Sequence, residues 1–377
     1  MLSPPLRCLT TAHNTCTRRI ILLTFALATA QATDAIPLQC GDFCSASIIP
    51  VSGDKPLDIG IGDFDCDGFD DIVTINQNPG GMSVFFGNAD GIGPETSKNI
   101  TSRPGLFVYV GDIDNDGCGD IIGLFSASGG NKVFVALHWN GIDFDTVDLP
   151  GRPGVASAAI GDANNDGLNE VVISNVADDP KTLILEVSFD TDSFNILYEL
   201  DGGGGGVNIK DINNDQFNDI LFDANGNNAE GFHWNDTTQD YDAVAPFNIG
   251  GVLHRYSVGD ATNDGYNDIV SSPPNADFVR VIRWDNDLGV FHSGDPIEVP
   301  VGEWPKGVII LDVDEDGDND MLVANNRPEG GNYTSFLRWD AALGTWEPER
   351  DIVSSMGVRD RMPVTQRTQS HCYQYAD

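Results

Sequence analysis

One acidic segment, each time followed by an apolar run, occurs six times in this chain at almost constant spacing. The copies read GDFDCDGFDDIV from Gly62, GDIDNDGCGDII from Gly111, GDANNDGLNEVV from Gly161, KDINNDQFNDIL from Lys210, GDATNDGYNDIV from Gly259 and LDVDEDGDNDML from Leu311. Their first aspartates fall at 63, 112, 162, 211, 260 and 312, giving intervals of 49, 50, 49, 49 and 52 residues. A period of this size belongs to solenoids and propellers, in which one supersecondary unit repeats until neighbours bury each other's apolar faces.

The content of one period decides between them. In the second, 106–110 (LFVYV), 120–125 (DIIGLF), 132–139 (KVFVALHW) and 143–149 read as four short strands separated by Gly, Asn, Asp and Pro. No window beyond the N-terminal apolar run holds a helical period. A β-helix would need shorter rungs and a helical solenoid would need helices. The pattern therefore predicts an all-β fold, a β-propeller of six blades with about four strands each. The 42 Gly and 20 Pro fit its many turns. Segment 45–51 (SASIIPV) reads as an outer strand without its blade, and 352–354 as its counterpart after the last repeat; pairing of the two ends would close the ring. Residues 356–377 carry several Arg and no loop motif, and form either a tail or a strand or two of a partial seventh blade. The expected divisions are 1–32, 33–44, 45–355 (the propeller) and 356–377.

A second set of residues repeats with the blades. Trp139, Trp234, Trp284 and Trp339 are each followed by Asn or Asp, a polar turn and then an aromatic, Phe144, Tyr241, Phe291 or Trp346. Packing wedges or hairpin caps are the favoured reading, ahead of a sugar-stacking platform. His138 and His233 precede two of these tryptophans and are read as strand-end residues rather than ligands.

Counting each loop from its first Asp, positions 1, 3 and 5 are Asp63, Asp65, Asp67; Asp112, Asp114, Asp116; Asp162, Asn164, Asp166; Asp211, Asn213, Asp215; Asp260, Thr262, Asp264; and Asp312, Asp314, Asp316. Position 9 is Asp71, Asp120, Glu170, Asp219, Asp268 or Asp320. Every one of these is an oxygen-bearing side chain, whereas positions 2, 4 and 8 read as free to vary, with Asp70 a solvent-facing spare. Alternate side chains of a tight loop converge on a point, and calcium takes six to eight hard oxygens in flexible geometry, so one Ca²⁺ per loop, up to six, is expected. Magnesium asks for a stricter octahedron. Gly at position 6 permits the turn, and position 7 (Phe69, Cys118, Leu168, Phe217, Tyr266, Asp318) would offer a backbone carbonyl. An EF-hand needs a bidentate Glu at position 12, where this chain has Thr74, Gly123, Ile173, Phe222, Ser271 and Val323. The sites are expected to be structural, at extracellular calcium levels.

Repeats of the form GDxDxDGxxDIV on a propeller resemble the FG-GAP/VCBS family, related to the head propeller of integrin α chains. The resemblance covers about residues 46–355 and implies one Ca²⁺ between the first two strands of each blade. The chain departs from the family pattern at Gln216, which stands where the other loops have Gly, and at Asn164, Asn213 and Thr262, which lower the ligand charge. Phe86-Gly87 is present and a clear Gly-Ala-Pro is not, which places the chain nearer the VCBS-like branch.

The remaining features bear on compartment and partner. Arg18 and Arg19 precede IILLTFALATA and a small-x-small AQA, so a signal peptide cleaved after Ala32 is expected, with no spanning segment after it. Cys40 and Cys44 could form a local disulfide, and Asn99, Asn235 and Asn332 begin sequons. A net charge of −38 argues against nucleic acid and anionic membranes. No G-x-S-x-G, H-E-x-x-H or paired His with a base occurs. The expectation is an exported, non-enzymatic calcium-binding propeller that recognises a protein or glycan; the alternative is a secreted polysaccharide lyase or hydrolase, and a purely structural envelope component is a third possibility.

Overall fold

Each predicted repeat folds into one antiparallel sheet of four strands, built from consecutive chain. The first blade is β1 (Asp54–Gly62), β2 (Asp71–Asn78), β3 (Met82–Asn88) and β4 (Gly91–Lys98), paired in that order. The second blade begins with Gly105–Gly111, the third with Val155–Gly161, the fourth with Gly205–Lys210, the fifth with Tyr256–Gly259 and the sixth with Pro305–Leu311. The chain is a six-bladed β-propeller. The computed structural model describes Ile49, Val51 and residues 54–352, except 79, 99–102, 128–131, 152–153, 177–178, 225–227, 250–255, 274–275, 314–315, 326–332 and 348–349. The segments expected to form an N-terminal signal and a tail or partial seventh blade, with Cys40, Cys44, Asn99, Asn332 and Asp314, lie outside the described residues. No helix of the described residues is long and apolar enough to cross a membrane.

The strand sequences follow from where each strand sits. First strands of successive blades pack against one another and form the inner ring. Second strands have a blade on either side, so alternation disappears: Glu170–Asn175 (EVVISN) is buried at every residue. Fourth strands form the rim, and Ser193–Asp201 is mostly exposed. The core lies in layers between blades. Val73 and Val84 of the first blade meet Val110 and Ile121 of the second, and Val270 and Val281 of the fifth meet Val308 and Ile310 of the sixth.

The repeated tryptophans cap the hairpins between third and fourth strands. Trp139–Phe144, Trp234–Tyr241 and Trp284–Phe291 have ring centroids 5.0 Å apart, and Trp339–Trp346 4.9 Å, with steep interplanar angles. That edge-to-face arrangement matches the positive rim of one ring to the negative face of the other. Trp139 also lies 4.8 Å from Phe86 of the preceding blade, so the same ring is a wedge as well as a cap.

One expectation about ring closure is corrected, at Ile352; the other, an outer strand at 45–51, falls on a segment of which only Ile49 and Val51 are described. The first blade has its own inner strand, Asp54–Gly62, ahead of its loop, and Ile352 ends Arg350–Ile352, the fourth strand of the sixth blade. Among the described residues every blade supplies its own four strands.

Candidate metal centre

Each acidic loop joins the first strand of its blade to the second, so all six lie at the same end of the sheets. Position 9 opens the second strand and is buried in every blade: Asp71, Asp120, Asp219 and Asp268 at 0% exposure, Asp320 at 1% and Glu170 at 3%. A buried carboxylate must be held by donors. One set comes from the loop: Asp71, Asp120, Glu170, Asp219 and Asp320 accept the position 2 amides of Phe64, Ile113, Ala163, Ile212 and Val313 at 2.6–3.1 Å. A second comes from the third strand, where the amides of Gly87, Trp234, Trp284 and Trp339 donate to Asp71, Asp219, Asp268 and Asp320. Position 9 therefore fixes loop, second strand and third strand to one another.

Position 1 folds the loop. In the first copy Asp63 accepts the amides of Asp67 and Gly68 through its two oxygens, at 3.0 and 2.9 Å. The same pair of bonds recurs at Asp112, Asp162, Asp211, Asp260 and Asp312. Position 5 accepts the position 7 amide, as at Asp67 from Phe69. Closing so tight a turn requires positive φ at position 6: Gly68 has 87° and Gly117 91°. Gln216 adopts 77° and still donates its amide to Asp211 at 2.8 Å, so the fourth loop keeps the geometry of the others.

The carboxylate oxygens of positions 1, 3 and 9 converge in the first two loops. Asp63, Asp65 and Asp71 each bring an oxygen within 4.8 Å of the others, as do Asp112, Asp114 and Asp120. Asp65 Oδ1 is buried without a hydrogen-bond partner. Crowded carboxylates with an orphaned oxygen lack positive charge, and an all-oxygen set of this kind fits Ca²⁺. Burial first, and then neighbouring carboxylates, push the Asp71 carboxyl up to about 7 against the hydrogen bonds that lower it. Burial likewise lifts Glu170 to about 7 and Asp120 and Asp268 to about 6.

In the third to fifth loops the neutral third residue makes its own bonds. Asn164 Nδ2 donates to Asp166 and Glu170, Asn213 Nδ2 to Asp215, and Thr262 Oγ1 to Asp268. Some of the carboxylate lone pairs left for a cation in the first loop are taken here by amide and hydroxyl protons.

Sequence reasoning missed two features. The first is the third-strand residue that faces position 9. Extending the strand register by one residue puts Phe86, His138, Glu186, His233, Arg283 and Arg338 at this place in the six blades. His138 Nδ1 lies 2.9 Å from Asp120 Oδ1, and that bond is the first cause that raises His138 to about 9. His233 Nδ1 lies 3.1 Å from Asp219 Oδ2. Both histidines are at strand ends, as expected, but they face the position 9 carboxylates.

The second is a clasp between neighbouring loops at the positions read as free. Position 4 is left-handed, with φ of 62° at Asn115, 59° at Asn165, 60° at Asn214 and 54° at Asn263. Its side chain accepts the position 8 amide of the next loop: Asn169 to Asn115, Asn218 to Asn165, Asn267 to Asn214 and Asn319 to Asn263, at 2.6–2.8 Å. The position 8 asparagine in turn donates Nδ2 to the position 1 carbonyl of the preceding loop, at Asp112, Asp162, Asp211 and Asp260. Between the first and second loops, Cys66 (φ 58°) takes the asparagine's place and is disulfide-bonded to Cys118. Position 2 is not free either: Phe64, Ile113, Ala163, Ile212 and Ala261 are buried. Asp70 is half-buried and has an interaction partner, so it does not simply face solvent. The recurring Asn at positions 4 and 8 was the signal that could have revealed the clasp.

With that geometry in place, the comparisons with known proteins can be set against it. Residues 63–123 and 260–323 match the FG-GAP-like repeat family. The chain carries FG-GAP-like repeats. The two matches span the first and second loops and the fifth and sixth. No curated protein matches the sequence. Among solved structures the chain is similar to a protein from Lactobacillus plantarum, with TM-score 0.54 and 11% identity over 82% of this chain and 87% of that one. It is also similar to a protein from Bacteroides uniformis provisionally assigned as a 6-phosphogluconolactonase, with TM-score 0.53 and 12% identity over 84% of this chain and 89% of that one. Likeness at this identity shows the propeller fold alone.

Proposed function

We propose that this FG-GAP-like chain is an exported, non-enzymatic propeller whose loops bind structural Ca²⁺ and whose surface recognises a protein or glycan. The observation that carries it is the convergence of Asp63, Asp65 and Asp71 around a buried, unpartnered carboxylate oxygen, in a loop clasped to its neighbour. Positions 1, 3, 5 and 9 would hold the ion, and the ion would supply the positive charge that lets the hairpin end close. The Cys66–Cys118 bond supports export, because such bonds persist in oxidising compartments. The absence of a recognised catalytic motif in the sequence supports a binding role. A pulldown from native extracellular material with and without calcium tests the reading: calcium-dependent capture of a discrete protein or glycan is expected, and no capture in either condition would leave only a structural role.

A second reading follows from the provisional lactonase assignment of the Bacteroides uniformis structure. Propellers of this architecture carry enzymes as well as binding modules, so a secreted lyase or hydrolase is the alternative. Release of unsaturated or shortened sugars from extracellular polysaccharide would establish it.

A further inference from the structure

The sixth loop has the richest acidic sequence of the six, with Asp312, Asp314, Glu315, Asp316, Asp318 and Asp320. Charge count alone would make it the strongest cation site. The third strand says otherwise. Arg338 faces position 9 of this loop, and its Nη2 donates to Asp316 Oδ2 at 2.9 Å. Asp316 is the position 5 ligand. The corresponding residue is uncharged Phe86 in the first blade and acidic Glu186 in the third, whereas in the second it is His138, which bonds Asp120 and lies 4.0 Å from Asp116 without the bond that Arg338 makes to position 5.

We propose that Arg338 is the built-in counter-ion of the sixth loop: its guanidinium holds the acidic turn together without a metal and makes this loop a weaker Ca²⁺ site than its carboxylates alone would. The inference rests on the calcium reading above and refines it. A guanidinium bonded to one ligand carboxylate opposes Ca²⁺ twice. It occupies an oxygen that the ion would use, and it repels the divalent charge. For charges about 5 Å apart in a water-like medium the repulsion alone weakens binding by on the order of tenfold. Arg283 stands at the same place in the fifth blade, beside a loop already short of one carboxylate at Thr262. Calcium affinity then differs from loop to loop with the third-strand residue as well as with the carboxylates.

The test is calcium titration of the full chain by calorimetry and equilibrium dialysis, for the wild type, Arg338→Gln, Arg338→Lys and Arg338→Gln with Asp312→Asn. The wild type is expected to bind fewer ions than it has loops at millimolar calcium. Arg338→Gln should gain about one ion per chain, or tighten one site about tenfold. Arg338→Lys should behave as wild type, and Asp312→Asn should remove the gained site. Melting in chelator gives a second readout: Arg338→Gln should melt lower than wild type, and added Ca²⁺ should restore more of the loss than it does in Arg338→Lys. If the wild type binds calcium and Arg338→Gln neither gains a site nor changes its chelator melt, the counter-ion role is overturned while the calcium reading stands. If neither protein binds calcium at all, both are overturned.

Discussion

The junction between the third and fourth loops and the junction between the first and second meet the same requirement with different bonds. At the former, left-handed Asn165 accepts the amide of Asn218 at 2.6 Å and donates to its carbonyl, and Asn218 reaches back to the carbonyl of Asp162. At the latter, left-handed Cys66 is bonded to Cys118, one residue short of position 8, and Gly119 keeps only its amide bond to the Asp63 carbonyl at 2.7 Å. The comparison shows what positions 4 and 8 are for. They tie each loop to the next around the ring, and a covalent tie at Cys118 releases position 8 from having to be Asn. It also separates two sources of loop order: the ion expected within each loop, and the clasp between loops. The hydrogen-bonded clasps form in half-exposed positions and compete with water, whereas the disulfide does not.

Removing calcium should loosen the loops at both kinds of junction at once, because each clasp joins two loops proposed to hold an ion, while the disulfide itself stays intact. A site saturated 100-fold above its Kd contributes about 2.7 kcal/mol, and each kcal/mol moves the melting temperature of a large domain by about 2–4 °C, so EGTA should lower it by about 10 °C or more. An unchanged calorimetric melt would remove the metal from the account. The calcium-free chain should also have an unusual pH profile. Asp71 and Glu170 are held up near 7 by burial, above their ordinary unfolded values. The folded chain then binds more protons than the unfolded one between about pH 4 and 7, so its stability should fall as pH rises through that window. Melts of metal-free protein at pH 5 and pH 8 check the sign.

Breaking only the covalent junction comes next in size. Reduction, or Cys66→Ser, should cost about 2–4 kcal/mol in urea unfolding. The comparison is sharpened by exchanging one clasp for the other. Cys66→Asn with Cys118→Leu and Gly119→Asn recreates the arrangement of the third and fourth loops, and should recover about 1–2 kcal/mol of the loss. No recovery would mean that the two junctions are not equivalent.

Breaking a hydrogen-bonded junction should cost less. Asn218→Ala removes the donor to the Asp162 carbonyl but leaves the backbone bonds to Asn165 in place. The expected loss is about 1–2 kcal/mol, against less than about 0.5 kcal/mol for Asn286→Ala at an exposed turn, by the same urea measurement.

These contrasts also explain how much of the molecule was legible in its sequence. The blades were readable because burial on both faces leaves a signature in every second strand, and because Asp at positions 1 and 5 folds each loop by local bonds to its own backbone. The position 9 carboxylates were readable as special, and the structure adds that they are buried and joined to the third strand. The clasp was not readable in the same way, since its partners are 53–59 residues apart and the recurring Asn at positions 4 and 8 does not by itself say that its partner lies in a different repeat. Cys66 and Cys118 fall at positions 4 and 7 of adjacent loops, which becomes meaningful only once those loops are known to touch. His138 and Arg338 were hidden for a related reason: they precede the tryptophans in sequence but meet the loop only through strand register.

The smallest expected effect tests how much of the loop's shape is imposed rather than preferred. Gln216 stands at φ 77° where five other loops use Gly between 87° and 96°. A side chain in left-handed backbone costs about 1–2 kcal/mol, whereas a glycine loses more chain entropy on folding by about 0.5–1 kcal/mol. The two terms oppose each other, so Gln216→Gly should stabilise the fourth loop by only about 0.5 kcal/mol, without changing the clasps of Asn214 and Asn218 on either side. Denaturant midpoints read the gain, and calcium titration reads whether the relaxed turn binds more tightly. A loss instead of a gain would mean that the Gln216 side chain makes a stabilising contact worth more than the backbone strain it causes. The fourth loop would then be held by its own side chain, as the first junction is held by its disulfide.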